Sequence, residues 1–308
     1  MSSGGLLVTL LGPTATGKTR LAAEFAARVG GEVISADSRQ VFRGMDLGTG
    51  KDLADYSVGG VQVPYHLIDI CDPREEYSAY RFLNDFKDAY LDIAGRGRQP
   101  VLCGGTGLYV DAVVRGYHLA DAPIDPLFRA SAQSRTDEDL AAELASYGPL
   151  HNHTDTESRE RLLRALEIQR YAAANPDAYT HLPPMRHAVF GMRLERSLVI
   201  GRIESRLRRR LDEGMTDEVR RLMDEGVPPQ RLLRFGLEYR HVTRMLLGQC
   251  TEDEMFRDLF TDIRRFAKRQ MTWFRRMERC GMRIEWLDAT RPAAELAAIV
   301  EERVGAGY

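Results

Sequence analysis

An α/β fold, with a parallel sheet flanked by helices and a small helical insertion, is what the sequence predicts. Three observations carry that reading. Short apolar runs alternate with helical stretches through the first third of the chain, a glycine-rich phosphate-loop signature joins the first run to the first helix, and β signals fade after about residue 116 before a late apolar run returns. Strands that alternate with helices build parallel sheets covered on both faces.

Leu6 to Leu11 is the first predicted strand, followed by the glycine loop and a helix from Arg20 to Val29. Glu32 to Ser35 is the second, ending in the polar segment Ala36-Asp37-Ser38-Arg39-Gln40. Tyr65 to Ile70 reads as a third, and Gln99 to Cys103 as a fourth that runs into Gly104-Gly105-Thr106-Gly107. Residues 117–185 are polar and read as a helical insertion, with a helix from Thr156 to Ala173 and a connection through Pro183-Pro184. Ala188 to Leu194 looks like a returning strand, and most of the remainder is helical. Gly201 to Glu225 carries Ile203, Leu207, Leu211, Val219 and Leu222 at helix spacing. The domain division is therefore residues 1–116 with 186–308 as the core, and 117–185 as the insertion.

The clearest periodicity lies in residues 263–277. Ile263, Phe266, Ala267, Trp273, Phe274 and Met277 fall on one side of a helix, and Arg264, Arg265, Lys268, Arg269, Arg275 and Arg276 on the other. The aromatics read as core anchors in preference to base-stacking platforms. The cationic face is equally compatible with a solvated surface and with phosphate contact.

The chain has 308 residues, 44% hydrophobic, with a net charge of −2. That suits one large or two modest globular domains. The neutral total hides an asymmetry: residues 1–150 hold 14 basic against 20 acidic side chains, whereas residues 193–283 hold 22 against 15. A basic C-terminal region is one a polyanion can use, although many solvated helices share it. Cys71, Cys103, Cys250 and Cys280 form no CxxC pair, so free thiols are expected and neither a zinc site nor a disulfide framework is readable. No apolar run approaches the roughly 18 residues that span a bilayer, and the N-terminal stretch lacks the basic start of a signal peptide. A cytoplasmic protein without membrane contact is expected, acting as a monomer.

Gly12-Pro13-Thr14-Ala15-Thr16-Gly17-Lys18-Thr19 satisfies G-x-x-x-x-G-K-[ST] in the strand-to-helix context the motif requires. The glycines let backbone N–H groups surround phosphate oxygens, the helix N-terminus adds positive potential, and Lys18 supplies a full charge. Thr19 offers a hydroxyl to Mg²⁺, the one cofactor expected. The core is therefore P-loop NTPase-like and binds a di- or triphosphate. Nucleotide hydrolysis, phosphoryl transfer and displacement of diphosphate all need this cradle, so the loop alone leaves the reaction open.

Five further segments occur in order after the loop. They are Ser35-Ala36-Asp37-Ser38-Arg39-Gln40-Val41-Phe42-Arg43, His66-Leu67-Ile68-Asp69, Gly104-Gly105-Thr106-Gly107-Leu108-Tyr109, Arg164-Ala165-Leu166-Glu167, and Ala267-Lys268-Arg269-Gln270-Met271-Thr272-Trp273-Phe274-Arg275. Together with the P-loop, over residues 6–288, the chain resembles the tRNA dimethylallyltransferase (IPP transferase) family, whose members prenylate the adenosine 3′ of the anticodon. The resemblance implies transfer of a dimethylallyl group from dimethylallyl diphosphate to N6 of that adenosine, with release of diphosphate. It implies that Asp37 takes the amine proton, a sensible remedy for a poor nucleophile, and that Thr106 lies at the substrate site. On residue chemistry alone, Asp37 could also be a solvent-facing loop residue or a helix N-cap, and Thr106 a structural turn.

Arg202 and Arg206, four residues apart on one helix face, resemble family arginines. A diphosphate contact fits, for Arg206 first, and surface ion pairs would explain them as well. The family pattern also points to tRNA contacts at Asp37–Gln40 (that is, Asp37, Ser38, Arg39 and Gln40), at Glu160, Arg161, Leu162, Leu163 and Arg164 in the insertion, around Arg234 to Arg240, and at Arg129. The partner implied is the anticodon stem-loop of tRNA. Two departures stand out: Gly48-Thr49-Gly50-Lys51 replaces the common Gly-Thr-Ala-Lys, and the late turn reads Gly236-Leu237-Glu238-Tyr239-Arg240, two residues longer. There is also no C-terminal Cys/His finger of the kind some eukaryotic relatives carry. A prenyltransferase acting on free AMP or ADP, and a P-loop small-molecule kinase, are the alternatives that the P-loop itself permits.

Overall fold

The computed structural model describes residues 5–148, 156, 158–175 and 179–307. Strand β1 (Leu6–Leu11) is Leu-Leu-Val-Thr-Leu-Leu, and every residue after the first is buried, as a parallel strand covered on both faces requires. It is followed by α1 (Lys18–Val29), β2 (Glu32–Ser35), a one-turn 3₁₀ helix (Leu53–Tyr56), the hairpin β3 (Ser57–Val58) and β4 (Val61–Gln62), and β5 (Tyr65–His66). Then come α2 (Ala79–Gly95), β6 (Pro100–Gly104), α3 (Gly107–Arg115), α4 (Pro126–Ala132), α5 (Asp137–Ser146), α6 (Arg159–Ala174) and β7 (Arg186–Arg193). The chain ends with α7 (Arg196–Asp212), α8 (Met215–Asp224), α9 (Pro229–Leu232), α10 (Leu237–Leu246), α11 (Glu252–Arg279), β8 (Glu285–Asp288) and α12 (Ala293–Gly305).

Six strands form one sheet in the order β5-β2-β6-β1-β7-β8, with every pairing parallel. One face packs Val8, Leu10 and Phe190 against α1 (Leu21, Phe25) and α12 (Leu296, Val300). The other packs Leu7, Leu11 and Ile34 against α2 (Phe82, Phe86), α3 (Val110, Val113) and the end of α11 (Phe274, Met277). This is the parallel, doubly covered α/β core that the alternation of elements predicts. A third apolar cluster joins α7, α8, α10 and the first half of α11 to Val41, Phe42 and Met45 beyond β2. Helices α4 to α6 enclose a small core of their own around Phe128, Leu140, Leu162 and Leu166.

Several element boundaries differ from the sequence expectation, each for a local reason. The third strand stops at His66 because Leu67 and Asp69 adopt left-handed backbone (φ 62° and 57°), which ends pairing. Gly201 to Glu225 is two helices, broken at Gly214 (φ 100°). The insertion helix begins at Arg159, where Ser158 accepts the Arg161 N–H as a cap. The basic helix extends back to a Thr251/Glu254 capping box. Strand β8, four residues long, carries too short a pattern to read. All four cysteines are free. Among the described residues, no helix is long and apolar enough to cross a membrane.

At the far end of β2, Glu32 is 4% exposed and pairs with Arg96 (2.5 Å) and with His66 Nε2 (2.8 Å). The Arg96 hydrogen bond holds its carboxyl down at about 2, against the push of burial and with help from His66. A depressed folded value means the pair's contribution is whole above the unfolded value and is lost as pH falls through the folded one. Glu32→Gln is therefore expected to flatten the loss of stability between about pH 4.5 and 2, an effect of up to about 3 kcal/mol. Urea titrations at stepped pH measure it.

Candidate active site at the carboxyl ends of four adjacent strands

The order β2-β6-β1-β7 sets four loops side by side at one edge of the sheet, where open α/β sheets bind ligands. Loop by loop, these carry Asp37, Thr106, the P-loop, and the approach to the arginines of α7. All four open onto one cavity of about 800 Å³.

The P-loop is closed on itself by the Thr16 hydroxyl, which donates to the Pro13 carbonyl (2.8 Å). Helix α1 is capped at Gly17, which has no side chain to cap it, so the N–H groups of its first turn lie at the cavity with no protein acceptor among the described residues. Burial pushes the Lys18 ammonium below its ordinary value, and Arg206 pushes the same way against the pull of Cys103, Asp37 and Asp52. An anion in the cradle relieves both effects. The Thr19 hydroxyl lines the cavity and makes no hydrogen bond within the described residues.

Asp37 sits two residues past β2. Its Oδ1 accepts the Arg39 N–H (2.9 Å), leaving Oδ2 without a protein partner among the described residues. The Thr106 Oγ1 accepts the Ser38 N–H (3.1 Å), which ties the Asp37 loop to the loop after β6. These loops can lie so close only because residue 104 is glycine: a Cβ there would stand 2.2 Å from the Ala36 carbonyl oxygen. Thr106 is thus both a turn residue and a cavity residue. Gln40 is 9% exposed and spans from Ser35 (3.0 Å) to the Gly50 carbonyl (3.1 Å), so its amide is committed to the fold. Arg39 is half-buried and makes no side-chain hydrogen bond among the described residues. Burial pushes its pKa down while Asp37 pulls it up.

Arg206 reaches across from α7. Its guanidinium lies 3.3 Å from Thr14 Oγ1, 3.4 Å from the Gly50 carbonyl and 2.9 Å from Asp52 Oδ2. Burial first and then neighbouring Arg210 bring its pKa down to about 10. The departure at Gly50 now has a cause. Its φ is +67°, and a Cβ would meet Arg210 Nη2 at 1.8 Å and Arg206 Nη2 at 2.3 Å. Gly50→Ala would adopt this backbone only at a cost of about 1–2 kcal/mol and would push both guanidinium groups aside. We expect the KM for the phosphate-bearing substrate to rise by about tenfold in steady-state kinetics, about 1.4 kcal/mol. An unchanged KM would remove these arginines from substrate binding.

The other expected residues divide by location. Arg234 and Arg240 line the cavity and are exposed, and Arg202 lines it while donating to the Ala289 carbonyl (3.3 Å). Arg129, Glu160, Arg161, Leu162, Leu163 and Arg164 are brought together in the insertion instead, outside this cavity. Arg129 bridges Glu160 (3.0 Å) and Glu167 (2.7 Å), Arg164 holds Glu167 (3.2 Å) and the Ala122 carbonyl (2.6 Å), and the two leucines are core. The aromatics of α11 also divide. Phe274 is fully buried, as an anchor should be, and Trp273 packs against the same core while one side of it lines the cavity. Phe266 is exposed and lines the cavity, so the expectation of a core anchor is corrected for Phe266. Phe266 and Trp273 lie on the helix flank that faces the gap above the sheet.

Sequence reasoning missed Gln270 and Glu218. Gln270, 6% exposed, accepts the Thr14 N–H (2.9 Å) and donates to the Gly105 carbonyl (2.8 Å), clamping the P-loop to the loop after β6. The signal was available: a lone glutamine two helical turns after Ile263, on the apolar stripe. Glu218 accepts the N–H groups of Asp46, Leu47 and Gly48 (2.8, 2.8 and 3.0 Å) and the Tyr239 hydroxyl (2.7 Å). With buried Lys51, whose ammonium bonds the Phe42 carbonyl, Asp46 and Asp69, it fixes the loop that presents Gly50.

A P-loop after β1, the arginines of α7 and the Asp37 carboxyl, all lining one cavity, are the parts of a P-loop α/β transferase. The chain belongs to the IPP transferase family, whose model matches residues 40–277. It is 51% identical to tRNA dimethylallyltransferase 1 of Porphyromonas gingivalis, over 94% of this chain and 96% of that one. It is 49% identical to tRNA dimethylallyltransferase 1 of Parabacteroides distasonis, over 95% of each. Among solved structures, the full-length tRNA isopentenylpyrophosphate transferase of Bacillus halodurans superposes with a TM-score of 0.70 at 32% identity, covering 97% of this chain and 95% of that one.

Proposed function

We propose that this enzyme transfers a dimethylallyl group from dimethylallyl diphosphate to N6 of the adenosine 3′ of the anticodon in tRNA. The observation that carries the chemistry is the Asp37 carboxylate, held by the Arg39 N–H on one oxygen only, in the same cavity as the P-loop. The P-loop N–H groups, Lys18 and Arg206 hold the donor's diphosphate. The C–N bond forms between N6 and C1 of the allyl group as the C1–O bond breaks. Diphosphate departs with the electron pair, and the N6 proton passes to Asp37 and then to solvent. Preorganised cations aimed at the charge developing on the leaving group lower the barrier.

Mg²⁺ fits this donor set in one form. The described residues contain no cluster of three or more His, Cys, Asp or Glu side chains that could cage a metal, but the uncommitted Thr19 hydroxyl beside a phosphate cradle suits an ion that draws its other ligands from phosphate and water. Bound there it would neutralise charge on the diphosphate.

The relatives' names support tRNA as acceptor. So do the exposed cations of α11 (Arg264, Arg265, Lys268, Arg275), which flank the cavity residues Arg269 and Trp273. Contacts of the insertion with tRNA, a monomeric state and a cytoplasmic location are parts of the same reading. The test incubates the protein with dimethylallyl diphosphate, Mg²⁺ and unmodified tRNA, with AMP in parallel, and weighs the digested nucleosides. A five-carbon addition to a tRNA adenosine and none to AMP is expected. Addition to AMP alone keeps the chemistry and overturns the acceptor. Phosphate transfer from ATP without prenyl addition moves the kinase reading to first place.

A further inference from the structure

Asp52 stands in the loop between Gly50 and the 3₁₀ turn, in left-handed backbone (φ 42°) and about one-third exposed. Three arginines of α7 converge on it: Arg206 at 2.9 Å, Arg210 at 3.2 Å and Arg209 at 3.7 Å. A carboxylate offers about four lone-pair sites, and three guanidinium groups carry five donors each. The shortfall is visible, because the Nε atoms of Arg206 and Arg210 are buried with no partner among the described residues. Other acids share these cations, since Arg209 also reaches Glu213 (3.6 Å) and Glu238 acts on Arg206 and Arg210. Asp52 is nonetheless the one carboxylate on which all three guanidinium groups converge, with Lys18 close enough to sense both Arg206 and Asp52. Crowding of this kind is costly unless an anion meets it. Arg206 also touches Thr14 of the P-loop, so the cluster is one side chain away from the phosphate cradle.

We propose that Arg209 and Arg210 extend the diphosphate site beyond the P-loop, and that Asp52 is its internal competitor, holding the arginines while the cradle is empty and yielding them to diphosphate. The inference rests on the reading of this cavity as a diphosphate site. It gives the product an exit: after C–O cleavage, the Asp52 carboxylate recaptures the guanidinium groups as diphosphate leaves. An acid that competes in this way weakens diphosphate binding, which is the opposite of what an acid holding the cradle together would do.

Asp52→Asn separates the two, since asparagine matches the shape, tolerates left-handed backbone and removes only the charge. Calorimetry of the full chain with inorganic pyrophosphate and Mg²⁺ is the measurement. Asp52→Asn should bind about tenfold more tightly than the parent chain, and Arg210→Met about tenfold more weakly. In turnover, Asp52→Asn should show stronger inhibition by added diphosphate. Equal or weaker binding by Asp52→Asn overturns the competition, and unchanged binding by Arg210→Met overturns the extended site. A parent chain without affinity for pyrophosphate would remove the donor reading itself, a distinct result.

Discussion

Asp37→Asn is expected to slow the chemical step by about 10³-fold in single-turnover transfer with both substrates saturating, within the range a positioned general base supplies. Asparagine keeps an oxygen for the Arg39 N–H, so the loop is retained, while the carboxylate oxygen proposed to accept the amine proton is lost. Pyrophosphate affinity is expected to hold steady, because in the proposed reading Asp37 faces the acceptor while the P-loop holds the donor. The combination discriminates: a structural role would disturb the Ser38–Thr106 tie and the P-loop alignment together, and so would move affinity as well as rate. A variant within about fivefold of the parent rate, well under the range for general-base loss, would remove Asp37 from proton transfer.

Lys18→Met is the second large effect. Lys18 is the one full charge the P-loop carries, and burial already destabilises its ammonium, so a bound anion gains from meeting it in a poorly solvated place. Methionine fills similar volume without charge. The expected loss in kcat/KM is about 10²–10³-fold, comparable to removing one preorganised donor from an oxyanion site, with pyrophosphate binding weakened in parallel. Since the leaving group gains charge as the C–O bond breaks, part of the loss must appear in kcat. A change in KM alone would mean that Lys18 serves binding and not bond cleavage.

These predictions rest on residues of very different legibility. The P-loop reads from eight consecutive positions because its function is local: backbone N–H groups, a helix start and one lysine all come from neighbouring residues. Asp37 and Thr106 read almost as easily, each lying just past a predicted strand, where the topology of parallel sheets puts ligands. Gly50 could be seen as a departure but not explained, since the reason is two arginine side chains from a helix more than 150 residues later.

Gln40 was placed by its motif with the tRNA contacts, yet its amide is spent inside the protein. A glutamine beside the Asp37 loop looks the same in sequence whether it faces ligand or backbone. The apolar stripe places Phe266 in the core as well as Trp273, because a helical wheel gives direction relative to the helix axis and says nothing about what stands opposite. Trp273 does pack on the core and Phe266 does not. Part of that apolar arc faces the sheet and its flank faces the cavity.

By itself, then, the sequence determined the parallel α/β core, the phosphate cradle and the acid beside it, because each depends on periodicity or on groups a few residues apart. The tertiary structure decided the rest. Thr14 meets Gln270 across 256 residues, Glu218 receives three N–H groups from a loop about 170 residues earlier, and the α7 arginines find Asp52 from over 150 positions away. Such contacts are set by how helices pack over the sheet. Their energies belong to partners brought together only by the fold, and no local pattern in the chain records them.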